Sequence, residues 1–127
     1  MVEEFYLYIL MRNDMDSLNP GKACAQAAHA SNQFVKQLPS NSEYKIEYRK
    51  WAGIRGYGTT IVLSASKEQI EEICYPSDSD NFPAGVVIDE TYPLRDGRVT
   101  HYFPCLTCGY IFAPRGYHRV KHLSLMK

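Results

Sequence analysis

The stretch "NPGKACAQAAHASNQFVKQL", residues 19–38, decides the fold. Asn19 has a side chain suited to capping a helix, and Pro20 suits the first helical position, where no N–H is needed. The pattern stays helical to about Leu38, and Pro39 with the polar "SNSE" ends it. Ala23, Ala27, Ala30 and Phe34 recur at three- and four-residue spacing, the mark of a packed stripe. Side chains this small bring the helix backbone close to the layer it covers. Beside that stripe run Lys22, Gln26, His29 and Gln33, a polar stripe with a lysine in the first turn. A cation is unfavourable at the positive end of a helix, so its presence there points to a specific partner.

Working outward, "FYLYILM" (5–11) is an apolar run of strand length without alternation, as expected of a central strand covered on both faces. Tyr6 and Tyr8 share one of its faces and are expected to pack against a helix. "TTIVLSA" (59–65) reads as a strand. "SKEQIEEICY" (66–75) reads as a helix whose Ser66 and Gln69 have the spacing of a capping box. Residues 43–58 fit either a short edge strand or a long loop held by Trp51. "AGVVID" (84–89) reads as a short buried strand ending at Asp89, and "CGYIFAP" (108–114) as another. This order predicts an α/β fold: a single three-layer domain over 1–127, with an approximately four-stranded mixed sheet flanked by helices. The sheet should be largely parallel at the start, because the early connections contain helices, whereas the last two strands can pair either way. Residues 115–127 form a basic tail without an acidic residue, either touching phosphates or simply solvated.

A chain of 127 residues is long enough for one hydrophobic core. Its 45% apolar and 22% charged residues fit a folded protein. Fourteen basic and fourteen acidic residues cancel, which excludes a global pull on nucleic acid but leaves room for a local patch. The run from Phe5 to Met11 is too short to span a membrane, and the residues before it are acidic where a targeting segment needs positive charge. A cytoplasmic protein with no membrane partner is expected. Four cysteines, with Cys24 and Cys74 inside helical patterns, are expected to be reduced thiols.

Several features carry chemistry. Gly21-Lys22 is not a phosphate-binding P-loop, since the preceding glycine spacing is absent and Ala23 stands where a hydroxyl would meet magnesium. Cys105 and Cys108 have CxxC spacing, with His101, His118 and His122 at hand. They lead into an apolar strand rather than a helix start, and no confident fourth ligand presents itself. No metal and no cofactor are expected; Cys108 reads as core and Cys105 as part of its loop. Tyr110, Phe112 and Tyr117 read as core. Asp89, at a strand end, either forms a turn or serves a site at the carboxyl end of the sheet. His29 either relays a proton or structurally braces the loop from Arg12 to Asn19. Arg12 and Asp14 either form a loop network or face a substrate.

The text "ILMRNDM" followed by "GKACAQAAHA" resembles the archaeal and eukaryotic (type 2) family of peptidyl-tRNA hydrolases. Arg12 and Asp14 match that family's first loop, with Met15 for its leucine. Gly21, Lys22, Ala23, Ala25, Gln26, His29 and Ala30 match its first helix. Weaker likeness runs through "GYGTTIVLSASKEQIEEI", "VVIDETYPLRDG" and "TCGYIFAP", covering about residues 5–114. Asp89 falls on the family's active-site aspartate, with Ile88 where the family has arginine. Pro93 falls where it has threonine, and a local shift would let Thr91 substitute. The resemblance implies hydrolysis of the ester joining a peptide to tRNA, with peptidyl-tRNA as partner and a homodimer as assembly. Lys22, Asp89, His29 and Thr91 are the catalytic candidates, and Arg12, Asp14, Gln26, Arg95 and Arg115 the substrate-binding ones. Lys22 would stabilise an oxyanion or touch phosphate, while Asp89 orients Lys22 or water. The competing reading is a non-catalytic tRNA- or protein-binding domain on the same scaffold.

Overall fold

The computed structural model describes residues 3–38 and 42–127. Strand β1 (Phe5–Arg12) is its centre, followed by helices α1 (Pro20–Gln37) and α2 (Lys45–Gly53) and strand β2 (Thr60–Ala65). Helix α3 (Lys67–Cys74) then leads to the long strands β3 (Ala84–Asp96) and β4 (Val99–Pro114). The four strands lie in the order β2-β1-β4-β3. β1 and β2 are parallel, and β4 is antiparallel to both β1 and β3. The mixed α/β sheet expected from the sequence is therefore present.

Alternation along β1 builds the two cores. Phe5, Leu7, Ile9 and Met11 face one side, packed with Ala30 and Phe34 of α1 and Trp51 of α2. Tyr8 and Leu10 face the other, packed with Ile70, Ile73 and Cys74 of α3. Tyr6 packs partly against this second cluster, as its shared face with Tyr8 requires.

The helix signals act locally. The Asn19 side chain accepts from Lys22 N at 2.9 Å, with Pro20 beginning the helix. Ser66 and Gln69 form the reciprocal capping box of α3. The proposed stop at Pro39, Ser40 and Asn41 lies outside the described residues.

Three expectations are corrected. Residues 45–53 are neither strand nor loop but helix α2, whose Tyr48 and Trp51 rings pack on Phe34. Trp51 does hold the following turn, donating Nε1–H to Thr59 O at 2.7 Å. Gly58 passes beneath this ring at φ 72°, where an added Cβ would stand 2.2 Å from it. The short strands assigned to 84–89 and 108–114 are the inner ends of one hairpin, which continues to a tight turn at Gly97 and Arg98. Asp89 thus lies within a strand, and Cys105 in β4 rather than a loop. Lastly, residues 115–127 are not simply a solvated tail. Tyr117 and Val120 are buried beside α3, and Ser124 to Met126 run along β2. Ser64 N donates to Ser124 O and Met126 N to Val62 O, so the tail occupies the outer edge of β2.

Candidate active site

The site lies between α1 and the middle of β3, and two irregularities of the hairpin shape it. The pairing slips between Val87 and Ile88, which oppose Cys108 and Leu106, so Thr107 is the extra residue on β4. It slips again between Asp89 and Tyr92, which oppose Cys105 and Phe103. Such bulges redirect side chains away from regular alternation. The first aims the buried Thr107 hydroxyl at α1, and it donates to Gln26 Oε1 at 2.8 Å. With its oxygen thus occupied, the Gln26 amide presents Nε2–H to Asp89 Oδ2 at 2.7 Å. The second bulge folds Thr91 back on the same carboxylate. Its N–H lies 2.9 Å from Asp89 Oδ1 and its hydroxyl 3.4 Å.

Asp89 consequently holds its negative charge to lower pH than an ordinary aspartate. The Gln26 hydrogen bond is the largest cause, working against partial burial, with Thr91 and the charge of His29 assisting. Gln26 is only 4% exposed, so the stripe read as polar is not uniformly solvated. Gln33 of the same stripe, and Gln37 one turn further along the helix, donate to the Val86 and Ala84 carbonyls of β3.

Four residues before Gln26, on the same helix face, Lys22 reaches β3 as well. Its Nζ donates to Pro93 O at 3.1 Å and stands 5.1 Å from the centre of the Tyr92 ring. The buried Tyr92 is fixed in turn by its hydroxyl, 3.0 Å from Ser17 Oγ. Gln26–Asp89 and Lys22–Pro93 are thus successive rungs between helix and strand. Beyond the second rung opens a cleft of about 510 Å³, bordered by Asp16, Ser17, Lys22, Pro93, Arg95 and Thr100, with Asp89 and Thr91 outside its walls. Lys22 and Asp89 are not paired with each other: Lys22 Nζ is engaged by Pro93 O and the Asp89 carboxylate by Gln26 and Thr91.

The other candidates divide by position. His29 is exposed, one turn beyond Gln26, and is near enough to Asp89 to influence its charge. It does not brace the loop from Arg12 to Asn19; Arg12, Asn13, Ser17 and Asn19 do so themselves. Arg12 Nε lies 2.7 Å from Asp14 Oδ1, and Asp14 Oδ2 accepts from Lys67 N at the start of α3. Partial burial opposes the charge on Asp14, but the hydrogen bonds from Arg12 and Lys67 outweigh it and keep its pKa low. Arg12 and Asp14 therefore tie β1, β4 and α3 together. Arg115 follows Pro114, opposite Phe5, at the far end of β1 from the site, with its guanidinium over Tyr6.

Sequence reading missed Thr107, which stands between the two cysteines that drew notice, and the Pro93 carbonyl. No local signal marks Thr107, because its direction depends on unequal pairing of two strands. Cys108 is core, its Sγ 3.5 Å from Gln26 O, and burial pushes its thiol up to about 12. Cys105 Sγ sits 3.6 Å from Met15 Sδ. No three His, Cys, Asp or Glu side chains gather as metal ligands among the described residues.

Lys22 at the wall of the cleft and Asp89 with its three donors, on the neighbouring rung outside it, are the two charged groups that α1 and β3 hold in place here. The chain belongs to the peptidyl-tRNA hydrolase PTH2 family, whose model matches residues 5–101. No curated protein matches it significantly. Membership connects the chain with peptidyl-tRNA hydrolysis and so with translation. Among the described residues, no helix is long and apolar enough to cross a membrane.

Removing the Gln26 amide is expected to move the Asp89 titration. In Gln26→Leu the carboxylate loses its strongest donor, so its pKa should rise toward the ordinary aspartate value. A carboxyl NMR titration, comparing wild type and variant, checks this; coincident curves would show that Gln26 does not hold the charge.

Proposed function

We propose that the chain hydrolyses the ester bond of peptidyl-tRNA, releasing free peptide and tRNA, at a site built on Asp89 and Lys22. The observation carrying this reading is the hydrogen-bond chain from Thr107 through Gln26 to Asp89. It keeps a carboxylate ionised and oriented one helical turn from a lysine. Asp89 accepts from an attacking water and directs its oxygen at the ester carbonyl carbon. Its low pKa makes it a weak base, so its task is orientation, with the water proton passing on to the leaving 3′ oxygen. As the carbon–oxygen bond to the ribose breaks, the peptide leaves as a carboxylic acid.

Lys22 uses one N–H on Pro93 O and keeps two for the developing oxyanion. Thr91 holds Asp89 from the side opposite Gln26, which supports it as the hydroxyl partner that Pro93 cannot be. His29, exposed beside Asp89, belongs to the mouth of the site. Incubation of the folded protein with peptidyl-tRNA, followed by separation of charged and free tRNA, tests the proposal. Turnover well above the uncatalysed rate is expected, and Lys22→Ala should reduce it on the order of 10²-fold.

Pro93 favours one second reading. Its backbone carbonyl already holds Lys22, and its side chain offers no hydroxyl. A non-catalytic tRNA-binding domain on this scaffold would bind tRNA in the same assay without deacylating it.

A further inference from the structure

Beyond Tyr92 the β3–β4 hairpin leaves the packed part of the molecule: Pro93 is half-buried, and residues 94–102 are exposed. Pairing is regular there: Pro93 opposes Tyr102, and Arg95 opposes Thr100. Directly opposed residues of an antiparallel pair project to one side, as do residues two apart on a strand. Pro93, Arg95, Thr100 and Tyr102 therefore share a face. Pro93, Arg95 and Thr100 already border the cleft containing Lys22, which places Tyr102 next along the same surface. Tyr102 is 66% exposed and Tyr57, outside this hairpin, 69%, whereas Tyr92, Tyr110 and Tyr117 are buried. Packing accounts for those three rings and does not account for Tyr102. Arg95 has no hydrogen-bond or ion-pair partner among the described residues.

We propose that this outer part of the hairpin is an arm that grips the unpaired 3′ end of the tRNA. Tyr102 provides a flat surface for a base, Arg95 a contact for a phosphate, and Thr100 a hydroxyl between them. The choice of ligand rests on the peptidyl-tRNA reading given above. An unstacked base with its phosphate matches an exposed ring beside a free guanidinium, the pairing on which single-stranded nucleic acid is held. The tight turn at Gly97 and Arg98 and the ladder behind it keep these groups in register. Tyr102 lies just beyond the residues matched by the family model, 5–101.

The test uses the full chain, uncharged tRNA, and the same tRNA trimmed of its unpaired 3′ nucleotides. Tyr102→Ala is expected to weaken binding of intact tRNA by about tenfold, and Tyr102→Phe to leave it unchanged. The loss should vanish on trimmed tRNA. Arg95→Gln should lower the salt dependence by about one phosphate contact. Equal affinity of wild type and Tyr102→Ala for intact tRNA would overturn the arm, as would an equal loss on trimmed tRNA. Deacylation measured alongside separates the two readings. Tyr102-dependent binding without turnover keeps the arm and removes the hydrolase, while turnover indifferent to Tyr102 in both binding and KM does the reverse.

Discussion

Asp89→Asn is expected to lower peptidyl-tRNA deacylation by about 10²-fold, the scale on which a misplaced reactant slows a reaction. The fold should tolerate the change. An asparagine would turn an N–H toward Gln26 Nε2, placing donor against donor, but the Gln26 amide can rotate to offer Oε1 instead. Thr107 then becomes the acceptor of Nε2–H, because a hydroxyl can serve either way. The hydrogen bonds survive and the charge does not, so the variant isolates the effect of the charge. A single-turnover assay with a thermal melt checks both halves. A fall in rate accompanied by a similar fall in melting temperature would assign the effect to folding, and an unchanged rate would remove Asp89 from the chemistry.

The second large effect concerns stability. Phe34 is fully buried where α1, α2 and the sheet meet, its ring 5.6 Å from Trp51, 4.9 Å from Phe112 and 6.0 Å from Tyr110. Phe34→Ala should cost about 3–5 kcal/mol, from lost burial and from the cavity left behind. Natural domains are stable by only about 5–15 kcal/mol in total, so this variant approaches the limit of folding. Urea unfolding monitored by Trp51 fluorescence measures it. A cost below about 1 kcal/mol would mean that α2 collapses onto the space Phe34 vacates.

The parts legible in the sequence are those fixed by near neighbours. Asn19 and Pro20 set the start of α1, and Ser66 with Gln69 sets that of α3, through contacts within one helical turn. The apolar run of β1 has its central position because it must be covered twice. Helix α2 was not legible because it has no side-chain cap, and its packing rests on Tyr48 and Trp51 meeting Phe34 from another helix. The length of the hairpin was hidden by Pro93 and by two bulges, one in β4 at Thr107 and one in β3 between Asp89 and Tyr92. Gln26 and Asp89 could be picked out as residues, but their bond could not, since it depends on Thr107 standing out of register. Lys22 in the first turn did signal a partner; that the partner is a backbone carbonyl was beyond what residue types reveal.

The strip of chain laid along β2 bears on how two copies could meet. A bare outer strand presents a row of unpaired N–H and C=O groups, the template on which sheets of different molecules join into larger ones. Here Ser64 N and Val62 O are already engaged by Ser124 and Met126 of the same chain. A neighbouring molecule could pair with β2 at Val62 and Ser64 only after displacing those residues and breaking the two backbone hydrogen bonds they make. The tail thus shields the part of β2 that would otherwise be open to strand addition.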